Sequence, residues 1–120
     1  MNLQQKITVI LLLYIVLDSV AFAQVVEIPD PNLRVAITEA LGVAPSAPIT
    51  ENALHHLTEI NVPNKHITTL AGLEFATGIT WLQIAGNRIT DLTPIANLTK
   101  LEHLLMWHNP ISDITPPSRI

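Results

Sequence analysis

The 120-residue chain contains no cysteine, so a fold exported to an oxidising compartment must stand here without disulfides. Absence of cysteine also excludes a lipidated anchor at any cleavage site and removes every Cys/His zinc spacing. Glycine is scarce and scattered singly at Gly42, Gly72, Gly78 and Gly86, so no glycine-rich phosphate loop exists. Lysine and arginine total six and do not cluster, and the formal net charge is −4. That mild acidity argues against nucleic acid or an anionic membrane surface as partner. Aromatic residues make up only 4% of the chain, so where its two tryptophans fall carries weight.

One long apolar run is present, and it lies at the start. Met1 to Lys6 is a short leader with one basic side chain, Ile7 to Leu17 is almost unbroken apolar sequence, and Asp18-Ser19 ends it. Ala21-Phe22-Ala23 then offers small residues at the two positions a signal peptidase reads. Residues 1–23 are therefore expected to be a signal peptide cleaved after Ala23, without membrane insertion afterwards. An uncleaved anchor is the alternative, although the run is shorter than the ~20 residues a spanning helix needs. Removing the leader takes Lys6 and Asp18 together, leaves the charge unchanged and lowers the mean hydropathy of +0.38. About 97 residues remain, enough for one small domain.

Within them, three stretches align at a fixed step of 22 residues. Leu57, Ile60, Val62, Ile67, Leu70, Leu73 and Ala76 are followed by Ile79, Leu82, Ile84, Ile89, Leu92, Ile95 and Leu98. The third copy reads Leu101, Leu104, Met106, Ile111, Ile114, Pro117 and Ile120, so every position but Pro117 is apolar. Self-similarity of this kind marks units that each bury a face against their neighbours. Apolar residues at the fourth and sixth positions of each copy alternate with variable ones, as a strand with one buried face requires. Strands are expected over 59–63, 81–85 and 103–107.

Asn87 and Asn109 take the ninth position, where a buried amide can bond the backbone of adjacent turns. Lys65 replaces that Asn in the first copy, so the asparagine ladder should begin one turn late. Asp91-Leu92-Thr93-Pro94-Ile95 and Asp113-Ile114-Thr115-Pro116 suit short 3₁₀ turns rather than long helices. Ahead of the repeats, Asp30 and Pro31 open a helix whose apolar face is Leu33, Ala36, Ile37, Ala40 and Leu41, with Gly42 as its stop. Thr50 caps a shorter helix carrying Ala53, Leu54 and Leu57 on one face. This pair, over 24–56, is expected to cover the open end of the repeat stack.

The pattern L-x-x-L-x-L-x-x-N-x-I is the leucine-rich repeat signature. Ile79 to Leu101, ITWLQIAGNRITDLTPIANLTKL, resembles the 22-residue repeat of bacterial internalin-type leucine-rich proteins. Ile28-Pro29-Asp30-Pro31-Asn32-Leu33 through Ile60 resembles the helical cap preceding such repeats. The resemblance implies a secreted or surface-displayed right-handed β/3₁₀ solenoid of α/β class with an N-terminal helical cap, binding proteins across its concave strand face. Domain limits follow: signal peptide 1–23, cap 24–56, and repeats 57–78, 79–100 and 101–120, the last incomplete. Relatives carry more repeats and a C-terminal cap. The chain is thus read either as a truncated piece of a larger adhesin or as a small protein that self-associates through its uncapped last repeat.

In such a fold the third, fifth and seventh positions point out of the concave sheet. They are Glu59, Trp81 and His103; Asn61, Gln83 and Leu105; and Pro63, Ala85 and Trp107. Both tryptophans fall on this face, and Glu59, Trp81, Gln83, His103, Leu105 and Trp107 are the candidate ligand-binding residues. Exposed Trp beside apolar and polar groups has the composition of a protein-binding hot spot, and a sugar could also stack there. The competing reading is that these aromatics pack on one another or on further repeats. No catalytic residue, metal site or cofactor is expected. His55 and His56 diverge by about 100° on a helix, and His66, His103 and His108 occupy three different repeat positions. Asp91 and Asp113 recur as a pair because each can cap a 3₁₀ turn through an Asx bond.

Overall fold

The computed structural model describes residues 2–8 and 24–112. The cleavage motif at Ala21-Phe22-Ala23 and the return segment from Asp113 onward lie outside the described residues. So do Ile114, Pro117 and Ile120. Residues 3–8 are helical, and among the described residues no helix is long and apolar enough to cross a membrane.

Helix α1, Pro31–Leu41, starts where the sequence signals place it. The Asp30 carboxylate accepts from the Asn32 and Leu33 N–H groups at 2.9 and 3.1 Å, and Pro31 occupies the first helical position, where no N–H partner is required. Gly42 ends the helix with φ of 69°, a left-handed value that side chains with a Cβ adopt at a cost. The α1 face buries Leu33, Ile37 and Thr38, with Ala36 and Leu41 partly buried beside them. Helix α2, Glu51–His55, is capped by the Thr50 hydroxyl, which accepts from Ala53 N–H at 3.1 Å. An antiparallel bridge between Val25 and Thr50 ties the segment before α1 to the start of α2.

Three short parallel strands follow: β1 Glu59–Asn61, β2 Trp81–Gln83 and β3 His103–Leu105, in the spatial order β1-β2-β3. Their register repeats the sequence step, pairing Ile60 with Leu82 and Leu82 with Leu104. Each strand ends two residues earlier than expected. Ladder bonds nevertheless continue, from Val62 N–H to Gln83 O at 2.8 Å and from Ile84 N–H to Leu105 O at 2.8 Å. The early stop has a backbone cause: Asn64, Gly86 and His108, one step apart, have φ of 56°, 70° and 58° and swing the chain out of the sheet. On the opposite side run 3₁₀ turns at Leu73–Phe75 and Thr93–Ile95. The second matches the sequence expectation; it follows Asp91, whose carboxylate accepts from Thr93 N–H at 2.9 Å.

One core joins helices and repeats. Leu33, Ile37, Ile49 and Leu54 are fully buried with Ile60, Ile67, Leu70, Leu73, Ile79, Leu82, Ile84 and Ile89. The Asp30 carboxylate adds a polar tie across this junction, accepting from Thr68 N–H at 2.7 Å and from the Thr68 hydroxyl at 3.0 Å. Burial would raise its pKa, but the bonds from Thr68, Leu33 and Asn32 to the charged form outweigh that and hold it below the ordinary Asp value.

Candidate functional site

Strand alternation sends Ile60, Leu82 and Leu104 inward and turns Glu59, Trp81 and His103 out of the sheet. The pairing makes rows across the face, Glu59 to Trp81 to His103 and Asn61 to Gln83 to Leu105. The Trp81 and His103 rings lie with centroids 4.8 Å apart and planes tilted by 45°. That is the ordinary distance for interacting rings. Trp81 is half-buried by its neighbours, whereas Trp107 remains 55% exposed.

Gln83 is held in place by its own strand, its carbonyl oxygen accepting from Ala85 N–H at 2.8 Å. Its amide nitrogen is then left as a donor in the row between Asn61 and Leu105. Ala85 departs from its assigned position, because at 5% exposure it belongs to the buried set. The side chain is too short to clear the residues around it, so the third row is open at Trp107 and half-open at Pro63 only. Leu105 is half-buried, and Glu59 and His103 are exposed.

The asparagines lie beneath this face. Asn87 Oδ1 accepts from the Lys65 and Ile67 N–H groups of the preceding turn, both at 3.0 Å. Its Nδ2 donates to Val62 O and Ile84 O at 2.8 Å and to Ala85 O at 3.3 Å. Asn109 repeats the arrangement one turn later, bonding Ile89 N–H, Ile84 O and Met106 O at 3.1, 2.8 and 3.0 Å. The Lys65 side chain is exposed, and its backbone N–H is instead served by Asn87, one turn on.

The histidines are dispersed. His55 approaches Glu51 at 3.6 Å along α2, and His56 Nδ1 lies 2.8 Å from Asn52 O. Among the described residues, no three His, Cys, Asp or Glu side chains gather as metal ligands would. Two features escape a reading of the sequence. One is the second set of bonds made by Asp30. The other is an open groove of about 760 Å³ between α1 and β1, lined by Val35, Glu39 and Leu41 on the helix side and by Thr58 to Val62 on the strand side. Glu59 and Asn61 belong to both the groove and the outward rows, so the two surfaces are continuous.

A family profile described as leucine rich repeats (2 copies) matches residues 77–119. No curated protein sequence matches significantly. Solved structures do. Internalin InlF of Listeria monocytogenes is 32% identical with a TM-score of 0.68, the match covering 72% of this chain and 26% of that one. Internalin C2 of the same organism is 32% identical with a TM-score of 0.69, covering 72% of this chain and 38% of that one. The functional domain of InlJ, again from L. monocytogenes, is 30% identical with a TM-score of 0.68, covering 72% and 19%. The chain thus spans between about a fifth and two fifths of the length of these structures. Fold and repeats together define a leucine-rich repeat module. More narrowly, the chain is an internalin-like leucine-rich repeat protein, similar to bacterial internalins in both its repeats and its backbone.

Proposed function

We propose that this chain is a secreted or surface-displayed, non-catalytic module that binds a protein through the outward face of its strands. In this reading residues 1–23 are a signal peptide and 24–56 are a helical cap. Residues 57–120 are three turns of a right-handed solenoid whose concave side carries the site. The observation that supports the reading is the ring contact of Trp81 with His103 at 4.8 Å, beside a 55% exposed Trp107 that the repeat register assigns to the same face. Rigid aromatics flanked by Leu105 and the fixed amide of Gln83 supply contact area and one directed hydrogen bond, as binding hot spots do. Glu59 and Asn61 make the polar margin.

The test uses the full chain, immobilised, with Trp81→Ala and Trp107→Ala variants beside it. Capture of one protein from bacterial extracellular fractions should fall at least about tenfold in the variants, a loss of roughly 1.4 kcal/mol, with the melting temperature unchanged. Equal capture by all three proteins, or unfolding of the variants, would count against the site. Retention on immobilised glycans without protein capture would move the reading to sugar stacking. A second reading draws on the half-exposed third turn: the module works as the opening part of a longer repeat array. Coding sequence that continues the 22-residue step beyond Ile120 would favour it.

A further inference from the structure

The groove between α1 and β1 meets the strand face at Glu59 and Asn61, but its helix wall takes no part in binding through that face. Its strand side is the outer edge of the sheet, because among the described residues β1 pairs with β2 alone. Val62 and Asn64 donate to Gln83 O and Ala85 O, while Thr58 O accepts from Thr80 and Trp81. Even-numbered residues of this segment therefore face β2. Alternation turns the N–H and C=O groups of Glu59 and Asn61 toward the groove, where no described strand pairs with them. An edge of this kind is a template for one more strand unless something covers it.

The wall opposite is part aliphatic and part acidic. Val35 is 47% exposed on α1, and Leu41 lies near the helix end. Glu39 faces the groove from the helix and Glu59 from the strand, and neither forms an ion pair among the described residues. Lys65, the lysine of the lining, sits past the end of β1 and lies outside ion-pair reach of both carboxylates. Two unneutralised carboxylates above an aliphatic wall complement a lysine or arginine, whose methylene stem is apolar and whose head is cationic.

We propose that this groove binds an extended basic segment of a partner protein, which pairs with the free edge of β1 and seats Lys or Arg side chains beside Glu39 and Glu59. The proposal rests on the reading of the chain as a protein-binding module and adds a second contact to it. Backbone pairing would supply affinity, and the two carboxylates would select the side chains.

The probe is a blocked peptide of about seven residues alternating valine and lysine, long enough to span the strand at ~3.3 Å per residue. Titrated into the isotope-labelled full chain, it should shift the amide resonances of residues 58–62 saturably. Glu39→Gln and Glu59→Gln should each weaken binding about three- to tenfold, while Glu102→Gln, an equal charge change just before the far strand, should leave it unaltered. Methylating alternate peptide nitrogens should abolish binding, and a valine–glutamate peptide should not bind. Absence of shifts at 58–62, or shifts indifferent to the Glu39→Gln and Glu59→Gln pair, would overturn the proposal. The double variant Trp81→Ala, Trp107→Ala separates the two ideas. Peptide binding that survives it alongside lost protein capture supports both; protein capture that depends on the tryptophans without peptide binding sinks this proposal alone.

Discussion

The second and third turns carry the same residue types at the same positions, yet they are not equally folded into the core. Leu82, Ile84 and Ile89 are fully buried, whereas their equivalents Leu104, Met106 and Ile111 are half-buried. Asn87 is buried and makes five bonds, whereas half-buried Asn109 makes its contacts closer to solvent. Leu101, Leu104, Met106, Ile111 and Ile114 are as apolar as the residues they repeat. What differs is the neighbour: among the described residues the second turn is packed on both sides, the third on one. Burial in a stacked repeat thus belongs to the pair of turns, not to the turn.

Substitution can break the contrast most sharply in the strands. Leu82→Ala should cost about 2–5 kcal/mol in urea unfolding, since a cavity opens among fully buried neighbours. Leu104→Ala should cost only about 1–2 kcal/mol, because part of that side chain already meets water. Equal losses would mean that the third turn is covered on its far side in solution. The asparagines give the next largest difference. Asn87→Ala leaves the Lys65 and Ile67 N–H groups and the Val62 carbonyl without their partner, at about 1–3 kcal/mol for each group kept from water. Asn109→Ala should cost less, because the groups it frees lie nearer solvent. Guanidinium unfolding of the two variants measures the gap.

The junction between helices and repeats offers the smallest and most specific effect. The Asp30 pKa is lowered in the folded chain, so the unfolded chain binds more protons near and below the ordinary value of 3.8. Its contribution is therefore fully present above that value and is lost as pH falls through the folded pKa. Asp30→Asn should flatten this acid limb of a stability-versus-pH curve, and Thr68→Val should flatten it partly. A curve unchanged by Asp30→Asn would show that other carboxylates govern acid unfolding.

Much of this architecture is legible in the sequence, for a physical reason. A fixed step with alternating apolar positions forces equivalent residues into register, so the pairing of Trp81 with His103 and a bond from Asn87 to an adjacent turn can be read from spacing alone. The direction of that bond, back to Lys65 and Ile67, comes from the structure. Local chemistry is equally readable at Asp30, Pro31, Gly42 and Thr50, where capping needs only residues a few positions apart. Other features depend on distant parts meeting. The bond from Asp30 to Thr68 spans 38 residues, and no period connects them. The groove arises because α1 leans on β1, which puts Glu39 and Glu59 in the lining of one groove. Ala85 defies its repeat position because place in a strand tells direction, while the sizes of neighbours decide exposure. The strands stop short of their expected ends at left-handed residues, of which Gly86 is marked in the sequence by its type and Asn64 and His108 are not.

The asparagine side chains also give the stack a direction in time. Each reaches back to the turn before it, so the amide of Ile67 is held by Asn87 and the amide of Ile89 by Asn109. In these side-chain bonds a turn is completed by its successor, whereas backbone bonds such as Arg88 N–H to Ile67 O run the other way. Loosening that starts at β3 releases Ile89 first, and only a second opening event can release Ile67. Fraying becomes an ordered sequence of unlockings, and hydrogen exchange should record it as a graded clock, fast at Ile89 and slow at Ile67.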